Sequence, residues 1–319
     1  MKFRCLLSAF ALAFAATGQA GAAYPEKPVN LVIPFAPGGL TDTLGRVYAD
    51  KLSREWQQPV VAENRPGAGT AVGSSYVARA PADGYTLLLS SVGMATNPLL
   101  MSNLPYDPKD LEPLALAAVG PNVLYVHPSL PVHSVKELVD YAKESKTGVT
   151  FASSGVGASP HLAAELFAMR AGIEIVHVPY KGTGPAMADF LGGQIDAYFD
   201  TMQSLHYAQA GRLRAIAVTT PERVQELPDI PTVEESGVAP GVFSGTWFGF
   251  FVHKDTPPAI RAELLQAVEA ATADEGVRQK TVDMGLVPQF LGEQEFSAFV
   301  KDESAKWEEV IRERNITVN

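Results

Sequence analysis

Residues 29–42 read VNLVIPFAPGGLTD, and this stretch decides the fold. Val29 to Phe35 is a short apolar run rich in Val and Ile, which predicts a buried strand. It stops at Ala36-Pro37-Gly38-Gly39. From there Leu44, Val47, Tyr48, Leu52 and Trp56 recur at helical spacing, so 41–55 is expected as helix, capped by Thr41 or Asp42. Residues 59–63 predict a second strand, 70–80 a second helix and 85–90 (YTLLLS) a third strand. Strand and helix in alternation mean a mostly parallel sheet with helices on both faces.

The same grammar restarts downstream. Strands are expected at 123–126, 149–152, 174–178, 195–199 and 213–218, with helices at 134–143, 162–169 and 184–192. A strand-like run at 245–252 and helices at 258–272 and 294–313 follow, the first of these helices opened by Pro258 in its first turn. The expected architecture is therefore α/β with two lobes. Lobe 1 is expected to hold 24–122 plus 247–319, and lobe 2 is expected as the insertion 123–246. Two crossings, near 117–127 and 243–252, make a hinge with a cleft between the lobes.

Residues 1–23 read as a secretory signal peptide. Lys2 and Arg4 form a basic start, 6–16 is apolar, and Ala20 and Ala22 have the spacing of a cleavage site. The apolar part is shorter than the roughly 20 residues of a membrane span. Removal of the leader takes away Cys5, the single cysteine, and so excludes disulfides and thiol catalysis from the mature chain. It also takes the formal charge from -10 to about -12. So acidic a body argues against nucleic acid as partner. It does not exclude a small anion, because backbone N–H groups make a local positive site whatever the net charge.

The first loop, Pro37-Gly38-Gly39-Leu40-Thr41-Asp42, is the leading site candidate. Glycine leaves backbone N–H groups unobstructed, and the following helix start adds unpaired ones. The second loop, Ser154-Gly155-Val156-Gly157-Ala158-Ser159, repeats the design ahead of Pro160 and His161. Pro160 stands where a dinucleotide-binding GxGxxG needs glycine, and no Lys-Ser/Thr end marks a phosphate loop. None of the six histidines falls in a zinc pattern, and Ser-x-x-Lys and Gly-x-Ser-x-Gly are missing around the loops. No enzyme activity, cofactor or metal is therefore expected. Asp42 is either a holder of water or ligand, or a helix cap. His161 is read as a hydrogen-bonding group ahead of a base. Lys181, beside Tyr180, is either a ligand contact or an ordinary exposed loop lysine.

At these residues the chain resembles the periplasmic solute-binding proteins of tripartite tricarboxylate transporters, the uptake receptor family expanded in Bordetella-like bacteria. The resemblance is carried by YPEKP (24–28), LVIPFAPGG (31–39) with Asp42, ENRPGAG (63–69) and DGYTLL (83–88). In the second half it is carried by His161-Leu162, HVPYKG (177–182), GGQID (192–196), LPDIPTVEESG (227–237) and WFG (247–249). The resemblance implies a type II-like periplasmic binding protein, monomeric, that closes on a small organic carboxylate and delivers it to a two-component membrane permease. It places one ligand carboxylate among 37–42 and 155–161, with further contacts from Ser90 and Ser91 and from Asp200 and Thr201. A ligand-sensing protein of the same fold, without its own permease, is the alternative. The chain departs from the family pattern at Ala158, where a hydroxyl is usual, at Pro160, at Thr70, where glycine is frequent, and at Phe250-Phe251.

Overall fold

The computed structural model describes residues 24–224 and 227–317; the signal-peptide reading lies outside the described residues. The chain alternates β1 (Val29–Ile33), α1 (Leu40–Trp56), β2 (Val60–Asn64), α2 (Ala71–Ala78), β3 (Thr86–Ser90) and α3 (Gly93–Leu100). A long strand, β4 (Leu111–Val126), leads into α4 (Val135–Glu144), β5 (Val149–Ser153), α5 (Ser159–Ala171) and β6 (Ile175–Pro179). Then come α6 (Thr183–Leu191), β7 (Ala197–Thr201), α7 (Leu205–Gln209) and β8 (Arg214–Val218). After a connection of turns, β9 (Gly245–His253), α8 (Pro258–Ala273), α9 (Glu275–Asp283), β10 (Val287–Leu291) and α10 (Glu293–Glu313) complete the fold.

β4 makes the molecule two-lobed. Its first part, to Pro121, pairs antiparallel with β9. From Asn122 onward it pairs antiparallel with β7 and β8 instead. The first lobe thus runs β2-β1-β3-β9-β4-β10 and the second β6-β5-β7-β4-β8. Parallel pairing, expected for most of each sheet, holds in the three outer strands of each lobe. The sheets as a whole are mixed, because every pair that includes β4 or β9 is antiparallel. A strand that carries the chain across a hinge needs no crossover helix, so nothing constrains it to run parallel.

The two-residue period of the strands sorts the core. Leu31, Leu87 and Leu89 face α1 and α8 in one cluster with Tyr48, Phe250 and Leu264. Val123, Tyr125 and Ala152 face a second-lobe cluster with Phe190 and Tyr198. The opposite faces, with Val32, Leu88, Leu124 and Phe151, share one cluster that runs through both lobes. Trp307 and Phe296 of α10 belong to it. Ser304 of that helix reaches Ala95 O in α3, and Arg314 just beyond it reaches Glu165 in α5. The C-terminal helix therefore rests on both lobes.

At the hinge the crossing strands touch without side chains between them. A Cβ on Gly245 would lie 2.9 Å from Gly120 O. A polar knot sits beside this contact. Asn122 O accepts from Thr219 N–H at 3.0 Å, and the Thr219 hydroxyl lies 2.9 Å from Asn122 O and 2.6 Å from Ser244 O. The Asn122 amide donates to Ser244 Oγ and to Ser159 Oγ, at 3.2 and 3.1 Å. Ser159 is the first residue of α5, so the hinge is wired to the second candidate loop.

Candidate functional site

In both lobes the candidate loops lie at the carboxyl ends of parallel strands, where open α/β sheets hold ligands. The first loop joins β1 to α1. Gly38 has φ +82°, a left-handed conformation open to glycine at little cost. Gly39 is the N-cap, without a side-chain cap. This corrects the expectation that Thr41 or Asp42 caps the helix. Asp42 lies three residues inside α1, and its carboxylate turns back to accept from Gly38 N–H at 2.8 Å. Asn64 donates to its other oxygen at 2.8 Å, and Arg46 pairs with it at 2.9 Å. Burial disfavours the Asp42 carboxylate, but hydrogen bonds from Arg46, Gly38 and Asn64 outweigh burial and hold its pKa below the usual value. Asp42 thus spends its lone pairs on the loop's shape. The N–H groups of Leu40, Thr41 and Asp42 head the helix and have no acceptor within it.

The second loop joins β5 to α5 in the same way. Gly157 has φ +77°, Ala158 is an N-cap without side-chain cap, and His161 stands three residues inside the helix. His161 Nδ1 accepts from Gly157 N–H at 3.0 Å. Gly157, Ala158 and His161 thus repeat Gly38, Gly39 and Asp42, with an imidazole nitrogen in place of a carboxylate oxygen. Pro160, a departure from the family pattern, costs the helix nothing in its first turn, where its missing N–H has no intrahelical partner. Among the described α-helices only α4 and α9 carry a side-chain cap, from Ser134 and Asp274, so what sets α1 and α5 apart is the matched bond from a left-handed glycine N–H to a side chain four residues on.

His161 is 4% exposed and stacks on His177 at 3.8 Å between ring centroids. His177 Nε2 lies 2.6 Å from Ser153 Oγ. A serine this close to a histidine suggests a nucleophile and base, but Ser153 is fully buried and its Oγ already accepts from Gly155 N–H. Burial first, then His161, push the His177 pKa down to about 4. An unfolded histidine titrates near 6.5. The stability this carries is present above about pH 6.5 and is lost as the pH falls to about 4. The melting temperature should decline over that window, and His177→Gln should flatten part of the decline. A slope untouched by the substitution would remove His177 as its source.

The remaining candidates fall into two groups. Ser91 Oγ lies 3.0 Å from Thr246 Oγ1 at the hinge, and the buried Ser90 hydroxyl has no protein partner. Thr201 ends β7, and a Cβ on Gly120 would lie 3.5 Å from its methyl. Asp200 beside it is buried, which raises its pKa, while Ser204 donates to it at 2.6 Å. These residues line the crossing strands. Ser154 and Gly155 belong to the second loop proper, and Ser154 O accepts from Gly182 N–H. The backbone of Tyr180 runs beside that loop, its N–H donating to Ser153 O at 2.9 Å, but its side chain is engaged elsewhere, the hydroxyl donating to Asp189 on α6, and Lys181 is exposed. Sequence reasoning missed the Asn122, Thr219 and Ser244 knot, and it missed the segment before α2. There Gly67, Ala68, Gly69 and Thr70 all have positive φ, which explains why glycine suits position 70. Asn97 of α3 holds that turn through Gly69 O and Thr70 Oγ1.

Among the described residues, no three His, Cys, Asp or Glu side chains converge as a metal site, and no helix is long and apolar enough to cross a membrane. The depression beside Arg261 and Lys254 offers no free cation, because Glu112 and Glu293 pair with the guanidinium and Asp110 with the lysine.

Known proteins are similar to this chain in sequence and overall fold. Protein BugT of Bordetella pertussis is 36% identical over 294 residues, which cover 91% of this chain and 90% of that one. A protein of R. palustris solved with adipate is 36% identical and superposes with a TM-score of 0.84, covering 92% of this chain and 99% of that one. MatC from Rhodopseudomonas palustris, solved with bound malate, is 30% identical with a TM-score of 0.77, over 90% and 100% of the two chains. The model of the tripartite tricarboxylate transporter family receptor matches residues 44–316. Receptors of this family bind and do not catalyse, and this chain, with its two lobes and twin loops, belongs to the tripartite tricarboxylate transporter receptor family.

Proposed function

We propose that the protein captures a small mono-, di- or tricarboxylate between its lobes in the periplasm and hands it, as a monomer, to a two-component membrane permease. The observation that carries this reading is the pair of matched helix starts, at Gly39 and Ala158, each shaped by a bond from the N–H of a left-handed glycine to a side chain four residues on. A buried carboxylate needs its lone pairs filled. Two helix starts fill them with N–H donors and two favourable dipole ends. They do so without a buried arginine, which has its own desolvation cost. Adipate and malate in the two R. palustris relatives are of this chemical class. The lobes 24–122 plus 247–319 and 123–246 close about the Gly120 and Gly245 contact, and closure brings both loops to hydrogen-bonding distance.

Charge-assisted hydrogen bonds are the stronger kind, so a few of them with apolar contact reach micromolar affinity, about -8 kcal/mol. Calorimetric titration with malate, adipate and citrate, against their amides, is the test. Micromolar binding of at least one acid and none of its amide is expected. Binding of a sugar or a cation, with no acid bound, would overturn the proposal.

A further inference from the structure

The two loops are locked by the same bond but by different chemistry. In the first lobe the acceptor of the glycine N–H is the Asp42 carboxylate, which stays ionised because three donors favour the charge. In the second lobe it is Nδ1 of the His161 imidazole. A ring nitrogen accepts a hydrogen bond only while it carries no proton. We infer that His161 is the positioning residue of the second loop, and that only its neutral form holds that loop in binding shape, so that acid loosens lobe 2 while lobe 1 stays set. This rests on the proposed carboxylate site.

The surroundings decide what gives way on protonation. With Nδ1 accepting, the proton of the neutral ring sits on Nε2, and Nε2 faces Glu165 Oε1 at 3.6 Å. Glu165 is held in turn by Arg314 at 2.7 Å, and Arg314 also reaches Glu174. Glu165 thus favours the charged ring, and Arg314 opposes it. On β6, His177 stacks on the ring and, with its own pKa pushed down to about 4 by burial and by His161, stays neutral over the range from pH 8 to pH 5. Ser153 on β5 does not titrate, and α3 brings only the apolar Leu100 against Gly157. A protonated His161 therefore stays anchored to Glu165 and points Nδ1–H at Gly157 N–H, donor against donor. The loop moves because the ring cannot. Gly157 is the residue that moves, and a Cβ there would lie 2.4 Å from Leu100, so the shift is felt where the second loop meets the first lobe.

Two measurements test this on the mature protein. In ligand-free protein, ¹⁵N spectra from pH 8 to pH 5 should show the Gly157 amide moving together with the His161 ring, while the Gly38 amide holds still. In His161→Asn, whose side-chain oxygen accepts without titrating, the Gly157 amide should be flat. A ring that titrates without moving Gly157, or a ring that stays neutral to pH 5, overturns the inference whether or not any acid binds. In the second measurement, affinity for malate or adipate should weaken about tenfold across that range, typical of a coupling between two sites. It should change less than about twofold, relative to that scale, in His161→Asn. Comparing the two proteins at each pH removes the ligand's own titration. Binding that is tight but equally pH-dependent in both proteins sinks the inference and leaves the carboxylate reading intact. Absence of acid binding at every pH sinks that reading, and the amide shifts then judge His161 alone.

Discussion

Gly39→Phe is expected to lower affinity for the bound carboxylate by at least about a hundredfold, or about 2.7 kcal/mol, with the fold retained. Gly39 has φ -80° and ψ 172°, a conformation any residue adopts. The nearest atom to a Cβ there is Ala36 O, at 3.6 Å, which is ordinary contact. The residue is exposed at the head of α1, so a phenyl group costs the fold less than about 1 kcal/mol, chiefly by replacing a tolerated N-cap. The same group stands over the N–H groups of Leu40 and Thr41. A ligand that needs those donors is displaced. Gly38 is a poorer choice, because its φ of +82° would add backbone strain and blur the two effects. Calorimetry with the best acid, beside a thermal melt, separates them. Wild-type affinity in a folded Gly39→Phe protein would remove the first loop from the site.

Asp42→Ala should have the largest effect on stability, about 2–4 kcal/mol. Its buried carboxylate accepts from Gly38, Asn64 and Arg46 at once. Alanine leaves Gly38 N–H and the Asn64 amide short of an acceptor, whereas Arg46, half exposed, turns to water. Asp42→Asn keeps an acceptor of the same shape and should recover part of the loss. Because the Asp42 pKa is held low, its contribution is present above the unfolded carboxylate value near 3.9, and it is lost as the pH falls through the lower folded value. The gap between wild type and Asp42→Ala in urea melts should therefore persist at pH 5 and narrow only in stronger acid. Equal stability of the two proteins at pH 7 would mean that the loop does not depend on this carboxylate.

Much of the architecture was legible because it rests on short-range pattern. Apolar runs such as Leu31 to Ile33 and Val149 to Ala152, each ending in glycine and serine or proline, fix strand and turn together. Elements that depend on distant partners were not. β4 is sixteen residues long, yet Pro113, Gly120 and Pro121 read as breaks. They are tolerated because register shifts near Pro113 and the crossing at Pro121 accommodate them. α3 was hidden by Gly93 and Pro98, and β10 by its dependence on β4 for pairing. That α10 ties both lobes together is a packing fact with no local signature.

The glycines of the two loops were also legible, whereas their equivalence was not. Asp42 and His161 suggest unlike chemistry, and a reader of side chains assigns them unlike roles. What they share is an acceptor four residues after a glycine with positive φ. That spacing, Gly-x-x-x-Asp in one loop and Gly-x-x-x-His in the other, was the available signal.

The most direct test of the account is a crystal structure of the closed protein with the acid it binds, malate or adipate included. One ligand carboxylate should lie within about 2.7–3.2 Å of backbone N–H groups drawn from both 37–42 and 155–161. A carboxylate bound clear of those residues, or a sugar or cation seated among them, would contradict it.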